Sequence, residues 1–328
     1  MRPIVNSLDE LIGETPLLRL RRLRAAWHGE LFAKLEWFNP SGSDKDRVVR
    51  HMLADAHAGG QLPPGGTIIE ATSGNIAFAL AAQGVPQGYR VILVMPEIVP
   101  RTRVQLLRAL GAEVVLTPMA EGMPGAERHA RTLASRDSDA FLPNQFENPA
   151  GRAAYTALAD ELWHATEGRL DVVVAGVSTG STISGVGRRL RDLSDGHTRI
   201  VAVEPADSRV LSGGSGGRHR LFGMGPPFIP ANYDAGVVDE VLAVAQQEVQ
   251  ETLLRLYRRE GLLSGPTGGA ALAAALAGTS LVTLVLIGTT VAAVLDWMAL
   301  LRLLPPRLTT QAVAGSVAWT LVPRTIAA

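Results

Sequence analysis

Short runs of apolar, β-branched residues alternate with helical stretches from about Thr67 onward, and this alternation constrains the fold more than any other feature of the sequence. The run TIIEA (67–71) is followed by the helical stretch SGNIAFALAAQG. The run RVILVMP (90–96) is followed by PRTRVQLLRALG, which has Pro at its start and Gly at its end. The series continues with AEVVLTP, AFLPN, DVVVAGV and RIVAVEP. Apolar strands of this length between helices are typical of a parallel sheet covered on both faces. The sequence therefore predicts an α/β fold with parallel-rich sheets covered by helices.

The composition argues against several classes of binding partner and of active-site chemistry. The chain has 31 basic and 31 acidic residues, so it lacks the positive charge with which proteins bind nucleic-acid phosphates. It contains no cysteine, which excludes disulfides and thiolate nucleophiles, and its seven histidines show no HxH or HExxH spacing, so no metal site is predicted. Acidic residues at positions 9, 10 and 14 stand where a signal peptide needs an apolar core, which favours a cytoplasmic enzyme.

Two loops after predicted strands carry small and hydroxyl residues. In α/β sheets, ligands bind where such loops lead into helix N-termini. Ala71-Thr72-Ser73-Gly74-Asn75 offers N–H groups and hydroxyls to a carboxylate, although a serine N-cap alone would account for it. The loop at 176–182, GVSTGST, lets the backbone approach a phosphate closely. Its continuation GVG only partly matches a dinucleotide fingerprint, so a single phosphate is the better fit, and a nicotinamide dehydrogenase is an alternative.

Lysine is scarce, and this scarcity focuses the search for covalent chemistry. Only two of the 31 basic residues are lysines, Lys34 and Lys45. Lys45 lies at the predicted start of a helix, where the dipole is expected to lower its pKa, and a neutral lysine attacks carbonyls. A solvated lysine at a helix start is the alternative interpretation. Together, a lysine for an aldehyde and a glycine loop for a phosphate indicate pyridoxal 5'-phosphate (PLP).

Five motifs in order, NPSGSDKDR, EATSGN, GVSTGSTISGVG, VAVEPADS and EGLLSGPTGGAA, resemble those of fold-type II PLP enzymes, which are tryptophan synthase β-like. The resemblance spans roughly 4–285 and is greatest to the cysteine synthase (O-acetylserine sulfhydrylase) group of the cystathionine β-synthase family. It implies two α/β domains: a smaller mobile one at 42–150 with Lys45 and the substrate loop, and a larger one at 1–41 plus 151–328 with the phosphate loop. It also implies a homodimer acting on amino-acid substrates.

The resemblance further implies a β-replacement on an activated L-serine, either O-acetylserine or O-phosphoserine, through an α-aminoacrylate intermediate. Lys45 would hold PLP and then act as the base at the substrate α-carbon, and Asn75 would bond the 3'-oxygen of PLP. Thr267 would face the pyridine nitrogen, where a neutral hydroxyl favours β-elimination over transamination. The PLP phosphate would be bound by Ser178, Thr179, Gly180, Ser181 and Thr182. The substrate carboxylate would be bound by Thr72, Ser73, Gly74 and Gln145.

Several positions depart from the family pattern. Ile76 replaces a hydroxyl residue and makes that wall of the site apolar, and Ser178 and Ser181 stand where glycine is usual. Asp44 beside Lys45 would raise the pKa of the lysine unless it points away. Two prolines in GMGPPFIP remove N–H donors near the expected entrance. These departures keep open a 2,3-diaminopropionate synthase, which uses O-phosphoserine with glutamate as amino donor, in specialised metabolism such as antibiotic biosynthesis.

The C-terminal part also departs from the family. No residue from Gly261 to Leu295 is charged, and LVTLVLIGTTVAAVL (281–295) is long enough to raise a transmembrane interpretation. We expect LVTLVLI to form one more buried strand instead, and no membrane association. The segment after Val285 is either divergent or the product of a reading-frame change. A non-catalytic PLP-fold binding protein is a further alternative for the whole chain.

Overall fold

The computed structural model describes residues 4–23, 29–277 and 283–287. In this part of the chain there are ten strands and nine helices. The strands are β1 (Leu17–Arg19), β2 (Leu31–Leu35), β3 (Thr67–Ala71), β4 (Arg90–Pro96), β5 (Glu113–Thr117), β6 (Ala140–Phe141), β7 (Val172–Gly176), β8 (Arg199–Pro205), β9 (Glu240–Val244) and β10 (Thr283–Ile287). The helices are α1 (Lys45–Ala58), α2 (Asn75–Gly84), α3 (Arg101–Ala109), α4 (Gly122–Ala134), α5 (Ala150–Ala153), α6 (Thr156–Ala165), α7 (Ser181–Leu193), α8 (Gln246–Glu260) and α9 (Pro266–Ala277).

The larger sheet has six strands in the order β1-β2-β10-β7-β8-β9. All neighbours pair in parallel except β1, which runs antiparallel to β2. The strand expected within LVTLVLI is confirmed as β10, which lies between β2 and β7. The rest of the segment 281–295, like the tail beyond it, lies outside the described residues. Of the helices that the structure describes, none is both long and apolar enough to cross a membrane.

The smaller sheet has four parallel strands in the order β5-β4-β3-β6. All four lie within 42–150, whereas the strands of the larger sheet lie outside that range. The α/β class with helix-covered, parallel-rich sheets is therefore confirmed. The boundaries of the two domains stay a prediction. One apolar cluster includes Ile68 and Leu93 of the smaller sheet and Val173 and Ile200 of the larger one, so the core is continuous across both.

Close packing at glycines fixes the helix that follows β7. A side chain at Gly185 of α7 would collide with the carbonyl oxygen of Arg152 in α5. A side chain at Gly151 of α5 would come within 2.7 Å of the Ser181 hydroxyl. The chain before β7 accordingly forms two helices, α5 and α6, with a turn at Ala154 and Tyr155 between them. This packing sets the position of the α7 N-terminus.

Candidate active site

A cavity of about 420 Å³ opens at the carboxyl ends of β3 and β7. This volume is typical of small-molecule sites, and the position is where α/β folds bind ligands. Eleven of the twelve residues predicted for the site line it: Lys45, Thr72, Ser73, Gly74, Asn75, Gln145, Ser178, Thr179, Gly180, Thr182 and Thr267. The fold thus brings together loops that are separated by more than two hundred residues in sequence.

Lys45 is the first residue of α1, and its amine is held by an acidic neighbour. The Nζ atom lies 2.6 Å from Oδ2 of Asp44 and 3.5 Å from the Tyr155 hydroxyl. Burial alone would lower the pKa of Lys45, but the interactions of the amine with Asp44 and Tyr155 together outweigh burial and raise this pKa above the ordinary value. The expected lowering by the helix dipole is therefore wrong, and the raising effect expected from Asp44 prevails because its carboxylate points at the amine.

The N-terminus of α7 forms a site suited to an anion. Its first N–H groups have no partner within the helix, and the helix dipole favours negative charge there. Gly180 adopts a φ of +81°, and a side chain on it would come within 2.5 Å of the Tyr233 backbone nitrogen. Only glycine therefore permits this turn into α7. The Thr182 hydroxyl donates to Asp44 at 3.2 Å, which links the helix terminus to the lysine.

Ser181 is the one predicted residue that does not line the cavity. Its side chain is buried beside Gly151, and its hydroxyl has no hydrogen-bond partner among the described residues. Its N–H group bonds the Thr179 hydroxyl at 3.4 Å. A contribution of Ser181 to phosphate binding would come from the backbone at the helix start and stays a prediction.

Thr267 lines the cavity, and two glycines lie close to its side chain. A side chain at Gly176 would approach the Thr267 methyl group to 2.7 Å, and one at Gly223 would approach its hydroxyl to 3.1 Å. Two glycines thus keep the space around this hydroxyl free of side chains. Thr267 is the second residue of α9, so α9 positions the hydroxyl toward the cavity lining.

The loop at 72–75, which follows β3, leads into α2 without a serine at the N-cap. The N-cap of α2 is Gly74, which has no side chain, so the simple serine N-cap expected as an alternative is wrong. The Thr72 hydroxyl accepts the Gly74 N–H at 3.3 Å, and Arg103 holds the Ser73 carbonyl. Asn75 begins α2, and the buried Ile76 gives the cavity the apolar wall predicted for it.

Glu70 supports this site and was missed by the sequence analysis. Its buried carboxylate accepts the N–H groups of Asn144 at 2.9 Å and Gln145 at 3.4 Å. Burial raises the pKa of Glu70 to about 7, although these hydrogen bonds act in the opposite direction. The charged residue inside the apolar run TIIEA could have indicated this role, because a carboxylate is buried only where hydrogen-bond donors replace the water that it loses.

The chemistry of the donors indicates an organic phosphate with a carbonyl group rather than a metal. Within 4–23 and 29–277, no three histidine or acidic side chains are grouped as a metal ion requires. A lysine amine, a helix N-terminus and a hydroxyl beside two glycines match the aldehyde, the phosphate and the flat ring of PLP. The residues present therefore fit this cofactor.

Comparisons with known proteins identify the family of the chain. The model of a family described as "Pyridoxal-phosphate dependent enzyme" matches residues 8–285. A probable cysteine synthase of Bacillus subtilis is 44% identical over 84% of this chain and 90% of its own length. A cysteine synthase of Staphylococcus aureus is 40% identical over 83% of this chain and 88% of its own length.

Solved structures give the same result. The crystal structure of cysteine synthase from Entamoeba histolytica superposes with a TM-score of 0.86, with 32% identity over 96% of both chains. That of an O-ureido-L-serine synthase has the same TM-score, with 35% identity over 90% of this chain and 96% of that chain. The fold-type II assignment is confirmed, and the nicotinamide dehydrogenase alternative is wrong.

Proposed function

The chain belongs to the pyridoxal-phosphate dependent enzyme family, and on this premise we propose that it catalyses β-replacement on O-acetylserine with sulfide as the nucleophile. The two relatives with cysteine synthase in their names and the two superposed structures support this choice over O-phosphoserine. They do not favour 2,3-diaminopropionate synthesis or an antibiotic pathway.

One observation carries the proposal. Lys45 Nζ and Thr182 Oγ1 contact the same Asp44 oxygen, at 2.6 and 3.2 Å. The amine that would bond the aldehyde of PLP and the helix terminus that would bind its phosphate are therefore close enough for one small molecule to reach both. We propose that the remaining ligands are Asn75 and Thr267, with the phosphate held by the loop at 178–182.

When bound, PLP withdraws electrons from the α-carbon of an amino acid attached to it. The chain's own residues would do the rest. Lys45 lines the cavity, and its amine would accept the α-proton of the substrate at Nζ. Thr72, Ser73 and Gly74 would orient the α-carboxylate at the N-terminus of α2, where N–H groups favour negative charge. Gln145, positioned by Glu70 through its backbone, would close the other side of that carboxylate.

The experiment compares substrates and identifies products. Purified protein with PLP is incubated with O-acetylserine plus sulfide and, separately, with O-phosphoserine plus glutamate, and the products are identified by mass. We expect a yellow protein that forms cysteine from the first pair, and a Lys45→Ala variant that forms none. Formation of 2,3-diaminopropionate from the second pair alone would overturn the substrate assignment. A yellow protein that turns over neither pair would favour the non-catalytic binding protein.

We also propose a homodimer in the cytoplasm, on the strength of the family resemblance. The smaller domain at 42–150 would move relative to the larger one. Light scattering of the purified protein tests the dimer, since a mass near the 34.7 kDa of one chain would refute it.

A further inference from the structure

Asp44 occupies a helix N-cap but does not act as a cap. An aspartate at this position normally accepts N–H groups of the first helical turn. Here its side chain makes no capping bond to α1. Its Oδ2 atom instead accepts from Lys45 Nζ at 2.6 Å, from the Tyr155 hydroxyl at 2.9 Å and from Thr182 Oγ1 at 3.2 Å. The carboxylate is directed into the active-site cavity.

We propose that Asp44 is a positioning residue for Lys45, and that its carboxylate, fixed by Tyr155 and Thr182, holds the lysine nitrogen beside the α7 N-terminus. The proposal rests on the proposed function in one respect, which is that Lys45 is the residue that binds PLP.

The charges around the lysine support this role. Asp44 and Lys45 are both only 17% exposed, so solvent screens their attraction weakly. Burial would raise the pKa of Asp44, but the charge of Lys45 and the hydrogen bonds from Lys45, Tyr155 and Thr182 together lower that pKa, so Asp44 and Lys45 form an ion pair at neutral pH. Tyr155, from the turn between α5 and α6, is the other titratable group acting on the amine. Glu36 also lines the cavity, but its carboxylate is bonded to Arg47.

Asp44 and Tyr155 should affect the pKa of Lys45 in the same direction but to different extents. Replacing Asp44 by Asn removes the negative charge and lowers the proton affinity of Lys45. The Tyr155 hydroxyl accepts from Lys45 Nζ at 3.5 Å and also raises the pKa of Lys45. Replacing Tyr155 by Phe should therefore lower the proton affinity of Lys45 as well, but by less, because Asp44 is the larger of the two causes. A cluster with no effect on the amine would leave the Lys45 midpoint unchanged in both variants.

The scarcity of lysine makes a direct test possible. With only two lysines, full-length protein labelled with [ε-13C]lysine gives two side-chain NMR signals, and Lys45→Arg assigns them. The titration midpoint of the Lys45 signal should fall by about 1–3 pH units in Asp44→Asn. It should fall by less in Tyr155→Phe. Asp160→Asn, which breaks the 2.8 Å ion pair with Arg189 away from the cavity, is the matched control and should leave the Lys45 midpoint unchanged.

The holoenzyme gives a second readout. The visible absorbance of bound PLP should change at lower pH in Asp44→Asn than in the wild type. Asp44→Ser replaces Asp44→Asn if the latter does not fold. A Lys45 midpoint that is the same in wild type and Asp44→Asn, in protein that takes up PLP, would refute the role of Asp44 and leave the proposed function intact. A shifted midpoint in protein that never takes up PLP would refute the proposed function and leave the role of Asp44 standing.

Discussion

Gly180→Ala is the substitution that tests the phosphate site most directly. Gly180 lies immediately before α7 with a φ of +81°, in the left-handed region that residues with a side chain avoid. An alanine Cβ there would come within 2.5 Å of the Tyr233 nitrogen and 2.6 Å of its Cα. Both are backbone atoms, so the collision is not relieved by a rotamer change. The loop at 178–180 has to move, and the N–H groups that would bind the phosphate move with it.

A control variant separates the effect of Gly180→Ala into the cost of the left-handed conformation and the cost of the collision with Tyr233. The left-handed conformation alone costs an alanine about 1–2 kcal/mol. Gly196→Ala has the same conformational cost, since its φ is +79°, but a side chain there meets nothing within 4 Å. We expect Gly196→Ala to lower the free energy of unfolding by about 1–2 kcal/mol and to leave PLP affinity unchanged. Gly180→Ala should cost at least as much and weaken PLP binding roughly tenfold or more, because about 1.4 kcal/mol of misplaced contacts suffices for that factor.

The assay is the dissociation constant of PLP, measured by absorbance titration, beside urea unfolding of both variants. If Gly180→Ala binds PLP as tightly as Gly196→Ala does, the α7 N-terminus is not the phosphate site. If both variants lose affinity equally, the loss comes from general destabilisation, and the positional reasoning also fails.

Two further predictions concern pH and stability. The pKa of Glu70 is about 7 in the folded protein and 4.5 in the unfolded chain, so the free energy of unfolding of the wild type should fall as pH rises from 4.5 through 7. Glu70→Gln should remove this part of the pH dependence, which urea unfolding at pH 5 and pH 8 would measure. A pH dependence identical to that of the wild type would contradict this. The pKa of Glu161 is lowered to about 2, because its hydrogen bonds and ion pairs with Arg47 and Lys34 outweigh its burial. The stability that Glu161 contributes is therefore present above pH 4.5 and is lost as pH falls through 2. Glu161→Gln should therefore lower the free energy of unfolding by about 3 kcal/mol at pH 7 and by much less at pH 3. An equal decrease at both pH values would refute the role of these ion pairs.

The sequence predicted best those elements whose environment is uniform along the chain. The runs at 67–71, 90–96 and 199–205 are strands with those bounds, because strands buried on both faces are apolar throughout. β9 was missed because it is a partly exposed edge strand. β2 was missed because Lys34 interrupts its apolar run. The lysine is buried because its amine donates to the Thr15 carbonyl and to Glu161, which lies 127 residues away.

The candidate site likewise contains residues that the sequence predicted and contacts that it did not. Lys45 and the glycine loop were found because their chemistry is local to a short motif. Ser181 was expected with its neighbours, but its side chain faces Gly151 since the first turn of α7 rotates it away from the cavity. The ion pair of Asp44 with Lys45 depends on the direction of one side chain, and that direction is set by Tyr155, which lies 111 residues away. No local pattern encodes such a contact.

Lys45 is positioned by contacts on both sides of it in sequence. Two residues after it, the buried Arg47 bonds Glu36 at 2.7 Å and Glu161 of α6 at 2.7 Å, which fixes the first turn of α1 against α6. One residue before it, Asp44 bonds Tyr155, which lies directly before α6. A residue at the start of α6 and one in its middle therefore both hold the first turn of α1. A lysine side chain has several rotatable bonds and would otherwise sample much of the cavity. Because its backbone is fixed by the buried ion pairs and its nitrogen by a carboxylate, the amine is held beside the helix terminus before any ligand orders it.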